Sequence, residues 1–80
     1  MKQNEKLKIR FRELVDAKSM AKTQCAKEIG ISYYTFSNLY NYGKGRKPIA
    51  LILISNYFNV STDYLLGLSD DKERKKQKLK

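Results

Sequence analysis

Histidine and tryptophan are absent from this 80-residue chain, cysteine and proline occur once each, and acidic residues number 8 against 17 Lys and Arg. Each shortage closes off a class of chemistry. With no histidine and a single thiol, Cys25, the chain lacks the material for a common zinc site, an internal disulfide, or a Cys-His or Ser-His nucleophilic pair. Neither a metal nor a cofactor is expected, and so short a chain leaves little room for a deep catalytic cleft, so an enzyme is not expected either. Cys25 lies in a segment with apolar spacing and reads as a small buried hydrophobe, and an unpaired thiol suits a reducing cytoplasm. Long apolar runs are missing too: the longest, residues 49–54, falls far short of the roughly 20 residues needed to span a bilayer. Gln3, Asn4 and Glu5 leave no apolar leader region at the N-terminus. The expectation is a cytoplasmic protein with no membrane partner and no small-molecule ligand.

What the chain does have is positive charge, a formal net +9, and enough apolar residues, 41%, for one compact core. Such a surface attracts polyanions, and the placement of the bases decides what that means.

Apolar residues at Leu7, Phe11, Leu14 and Val15 fall at i, i+4, i+7 and i+8, an amphipathic helix placed at about residues 4–17. A shorter helix at 22–29 would bury Cys25, Ala26 and Ile29 and stop at Gly30, where glycine tolerates the left-handed conformation. Ser32 is a good N-cap for a third helix, about 33–41. Its inward stripe is Phe36, Leu39 and Tyr40, and its outward stripe is Tyr34, Ser37, Asn38 and Asn41. Residues 42–47, with two glycines and the bases Lys44, Arg46 and Lys47, read as a loop. Pro48 opens a fourth helix to about Phe58, although the block Ile49, Leu51, Ile52, Leu53, Ile54 would also suit a buried strand. Ser61 caps a short fifth helix that packs Leu65 and Leu66 and ends at Gly67. After Ser69 only Leu79 is apolar, so the basic tail has little to bury and is expected to be frayed or weakly helical.

Two short helices joined by a tight turn at Gly30, Ile31 and Ser32 have the layout of a helix-turn-helix, whose second helix enters the DNA major groove. The pattern Ala26, Ile29-Gly30-Ile31-Ser32, Phe36 and Leu39 resembles the phage repressor and Cro-type regulators, the XRE family. The segment from Phe58 to Gly67 is similar to that family's fifth-helix signature, so the likeness covers roughly residues 7–67. The sequence departs from the pattern at Lys22, where a glutamine is usual, and at Tyr40, where many members carry an acid. Tyr42 stands where a glycine usually closes the recognition helix, and Pro48 comes two places late.

The resemblance implies an all-α, five-helix, lambda-repressor-like DNA-binding domain over residues 1–68, followed by the basic tail 69–80. It also implies a bacterial or phage-encoded homodimer acting on a double-stranded DNA operator, expected to be an inverted repeat, in the manner of a Cro-like or minimal repressor. By position in the motif, Tyr33, Tyr34, Ser37 and Asn38 are the candidate base contacts. Asn38 is the sharpest of these because a carboxamide bonds bidentately to adenine. Tyr33 has the alternative of packing on the domain surface. Lys22, Asn41, Lys44, Arg46 and Lys47 are the candidate phosphate contacts, which anchor without discriminating. The dimer surface is expected among Ile49, Leu53, Tyr57 and Tyr64, each of which also suits a core position. The alternative reading is a protein-interaction module, antirepressor or antitoxin-like, on the same fold; an acidic or apolar outer face on the third helix would favour it.

Overall fold

The computed structural model describes residues 3–45 and 47–72, with the side chains of Gln3 and Asn4 excepted. Five α-helices follow in order: α1 Gln3–Lys18, α2 Lys22–Ile29, α3 Tyr33–Tyr42, α4 Pro48–Phe58 and α5 Thr62–Leu66. There is no strand among the described residues, so the all-helical expectation holds. No helix there is long and apolar enough to cross a membrane.

Each boundary has a local cause. Ser32 and Ser61 cap α3 and α5, their hydroxyls accepting from the amides of Thr35 (3.1 Å) and Tyr64 (3.0 Å). Pro48 sits in the first turn of α4, where its missing amide hydrogen costs nothing. Gly30, at φ 100°, ends α2, and the amides of Gly30 and Ile31 both return to the Ala26 carbonyl.

Two boundaries differ from expectation. The first helix extends one residue further at each end, and α3 includes Tyr42, which the sequence pattern assigned to the loop. Gly43 supplies the left-handed turn there (φ 70°), and its amide and that of Lys44 close on the carbonyls of Leu39 and Asn38.

The competition between helix and strand at residues 49–54 is settled for helix by which side chains are buried. Ala50, Leu51, Ile54 and Ser55 turn inward at i, i+1, i+4 and i+5, whereas Ile49 (65% exposed) and Ile52 (50%) point out. Among the residues expected at a dimer surface, Tyr64 is corrected to the core, Leu53 and Tyr57 are half-buried, and only Ile49 stands open.

Leu7, Phe11 and Val15 drive one side of α1 into the core, where the Phe11 and Phe36 rings meet edge to face at 5.2 Å. Helix α1 packs on α3 and α5, while α4 packs on α2 and α5. Cys25 is fully buried, and burial first, then Glu28, pushes its thiol pKa up, so it is an inert core residue.

Residues 69–72 run back over the bundle. Arg10 Nη1 donates to the carbonyls of Tyr64 (2.6 Å) and Ser69 (2.7 Å), its Nη2 pairs with Asp70 (2.6 Å), and its guanidinium lies 4.2 Å from the Tyr64 ring centroid. The Ser61 amide closes the segment by donating to the Lys72 carbonyl.

Candidate nucleic-acid interface

The pair α2 and α3 is held from behind by both neighbouring layers. Phe36 and Leu39 are fully buried and root α3 against α1, while Cys25, Ala26 and Ile29 seat α2. Tyr57 on α4 donates to Glu28 on α2, so α2 is also fastened at its polar edge. That bond raises the Tyr57 pKa to about 12 and, with the Gln24 amide, holds the Glu28 carboxyl below its ordinary range.

With its inner side rooted, α3 presents its other face outward. Tyr34 is 77% exposed, the largest opening of any aromatic in the chain's described part, and Tyr33 is 48% exposed. Ser37 and Asn38 are half-buried, and Asn41 is exposed with its Nδ2 donating to Ser37 Oγ at 3.0 Å. The Tyr33 ring stacks on Phe36 (5.9 Å, 14° between planes), and about half of the residue faces solvent. The four base-contact candidates thus lie on one helix, all of them at least partly open to solvent.

The phosphate-contact candidates divide. Lys44 and Lys47 are exposed on the loop after α3, which folds back so that Gly45 lies against Thr35 and Leu39. Arg46 lies outside the described residues. Lys22 is exposed at the start of α2, with Nζ 4.1 Å from the ring centroid of Tyr40.

Tyr40 is the residue whose part sequence reading missed. Its hydroxyl donates to Asp16 Oδ1 (2.7 Å), its carbonyl accepts from Arg12 Nε (2.6 Å), and its ring stacks on Phe36. The Asp16 hydrogen bond is the main reason its pKa is raised. Its departure from the acidic residue common in the resembled family was the one signal available. The partners lie 24 and 28 positions away, beyond the reach of periodicity.

Two helices, a left-handed glycine turn and an outward polar second helix are now in place. The chain carries a helix-turn-helix. It is similar, at 33% identity over 67 residues, to an uncharacterised helix-turn-helix-type transcriptional regulator of Bacillus subtilis (strain 168), YobD, with 82% of this chain and 59% of that protein covered. The helix-turn-helix chain therefore spans little more than half the length of that relative. No family model and no solved structure matches it.

Proposed function

We propose that this protein is a sequence-specific, double-stranded DNA-binding transcriptional regulator rather than an enzyme, acting at DNA in the cytoplasm in the manner of a Cro-like or minimal repressor. The observation that carries the reading is the open polar side of α3, a helix fixed by Phe36 and Leu39 and showing Tyr34 at 77% exposure. A rigid rod of that kind enters the major groove at no cost in ordering. Tyr33, Tyr34, Ser37 and Asn38 read base edges, the carboxamide of Asn38 pairing with adenine and the tyrosines packing against thymine methyls or donating to bases. Lys22, Asn41, Lys44, Arg46 and Lys47 hold phosphates and set the register. The net charge of +9 supplies the general attraction that brings the protein to DNA.

One module reads too few base pairs to find a site, so the protein acts as a homodimer on an inverted repeat, with half-sites about one helical turn apart. The outward isoleucines of α4, Ile49 and Ile52, offer an apolar surface for that pairing.

Selection from random duplex DNA tests the reading, and recovery of a short inverted repeat is the expected outcome. Salt-sensitive retention with no enriched sequence would refute it. Within a selected site, Asn38→Ala is expected to relax preference at one position by about 1–3 kcal/mol, whereas Lys44→Ala weakens every sequence alike. Equal effects from both substitutions would break the division between base and phosphate contacts.

A further inference from the structure

Cations flank α3 on both sides, and on one of them only Lys22 was legible in the sequence. At about 100° per residue, Tyr34, Ser37, Asn38 and Asn41 share an outer arc of α3. Tyr33 and Tyr40 border that arc on one edge and Thr35 on the other. The loop bearing Lys44 and Lys47 belongs to the Thr35 edge, since a side chain at Gly45 would touch Thr35 Cγ2 at 3.8 Å.

On the Tyr40 edge two helices bring positive charge to one ring. Lys22 Nζ from α2 is 4.1 Å from its centroid and Arg12 Cζ from α1 is 4.8 Å away, both within cation-π range. Arg12 is held twice, by the ring and by its Nε bond to the Tyr40 carbonyl at 2.6 Å. Two attachments fix the direction of the guanidinium, and among the described residues its two Nη groups have no acceptor. Asp16, the nearby carboxylate, accepts from the Tyr40 hydroxyl and forms no ion pair with Arg12 or Lys22. A fixed planar fork with vacant donors matches a phosphate better than a free lysine does.

A helix lying in the major groove has a sugar-phosphate strand along each side. The loop lysines serve one strand; the other needs an anchor on the Tyr40 edge. We propose that Arg12 is that anchor, a DNA-phosphate contact of α1 that Tyr40 positions and that Lys22 accompanies. This rests on the reading of α3 as the recognition helix.

The test is affinity for a random-sequence duplex measured across a salt series by fluorescence anisotropy, with circular dichroism as the check on folding. Arg12→Gln is expected to bind several-fold more weakly on all sequences and to reduce the slope of log K against log salt by about 0.9, the value of one phosphate contact. Arg12→Lys keeps that slope but binds more weakly than the parent, because the ammonium cannot be held by two attachments. Tyr40→Leu lowers affinity although Arg12 is still present, and Tyr40→Phe, which keeps the ring, stays near the parent. Lys72→Gln, on the segment beside α5, leaves the slope unchanged. An Arg12→Gln variant with the parent's slope and affinity overturns the proposal, as does an equal loss in Lys72→Gln, which would mark a general charge effect. Should Tyr40→Leu fail to fold, Arg12→Gln alone decides. Failure of the unaltered protein to bind duplex DNA at all would instead refute the assignment of α3.

Discussion

At the scale of single residues, two of the polar contacts that fix this helix pair are tyrosine hydroxyls given to carboxylates, and that chemistry sets an alkaline limit. The Tyr57 pKa is raised from 10.0 to about 12, chiefly by its bond to Glu28, and that of Tyr40 is raised by Asp16. A tyrosine whose folded pKa exceeds its unfolded one contributes stability that is complete below about pH 10 and is lost as pH climbs through the raised value. Thermal melting at stepped pH is therefore expected to weaken between about pH 10 and 12. Tyr57→Phe should flatten part of that decline and return the Glu28 carboxyl towards its ordinary range. If this variant loses stability with pH as steeply as the parent, the bond between α4 and α2 does not form in solution. The residue scale is also where the sequence was least informative. Tyr40, Tyr57 and Arg10 each act through partners 24 to 60 positions distant, and nothing in local spacing encodes them.

At the scale of elements the position is reversed, because caps and periodicity are local. The Leu7, Phe11, Val15 spacing, the Ser32 and Ser61 caps, and the glycines at 30 and 67 locate their helices almost to the residue. The remaining uncertainty lay where two local rules competed. Residues 49–54 carry β-branched side chains that suit a strand, and helix prevails since only a helical period buries Ala50, Leu51, Ile54 and Ser55 together. Tyr42 was misassigned because its neighbour Gly43, one place later than the resembled pattern, sets the end of α3. The same local logic makes α3 sensitive to its cap. Ser32 Oγ accepts from the Thr35 amide and also bonds to the Thr35 hydroxyl at 3.1 Å. Ser32→Ala is expected to cost about 1 kcal/mol of stability by denaturant titration and to speed amide exchange in the first turn of α3. Gly30→Ala should cost about 1–2 kcal/mol, although a side chain there would meet nothing closer than Leu53 at 3.9 Å, because its φ of 100° is the obstacle. Parent-like exchange in Ser32→Ala would show that packing alone sets the start of the helix.

For the molecule as a whole, the question is what keeps so small a bundle closed. Phe11 and Phe36 form the centre, but α5 has only five residues and cannot stand without outside support. Arg10 gives that support. Its guanidinium is partly buried, stacked on Tyr64, and bonded to two carbonyls and the Asp70 carboxylate, so one side chain of α1 joins α5 to the segment at residues 69–72. Asp70 is highly exposed and its pKa is lowered by the Arg10 hydrogen bond, so its share is present above the ordinary carboxylate range and fades as pH falls through the lowered value. The carbonyl bonds do not titrate, and acid should therefore loosen this closure only in part. Arg10→Ala removes both carbonyl bonds and the Asp70 pair, leaving the Tyr64 carbonyl to the Gly67 amide, the Ser69 carbonyl to water and the Ser61–Lys72 bond as the remaining closure, for an expected loss of about 1–3 kcal/mol. Hydrogen exchange should localise that loss to residues 61–72, with the amides of α2 and α3 protected as in the parent up to the lowered global stability. DNA affinity measured well below the melting temperature is expected to be unchanged, because α5 packs on α1 and α4, away from the outer side of α3. A variant whose α3 exchanges as fast as its α5 would show instead that the bundle opens as one unit and that Arg10 holds α3 too.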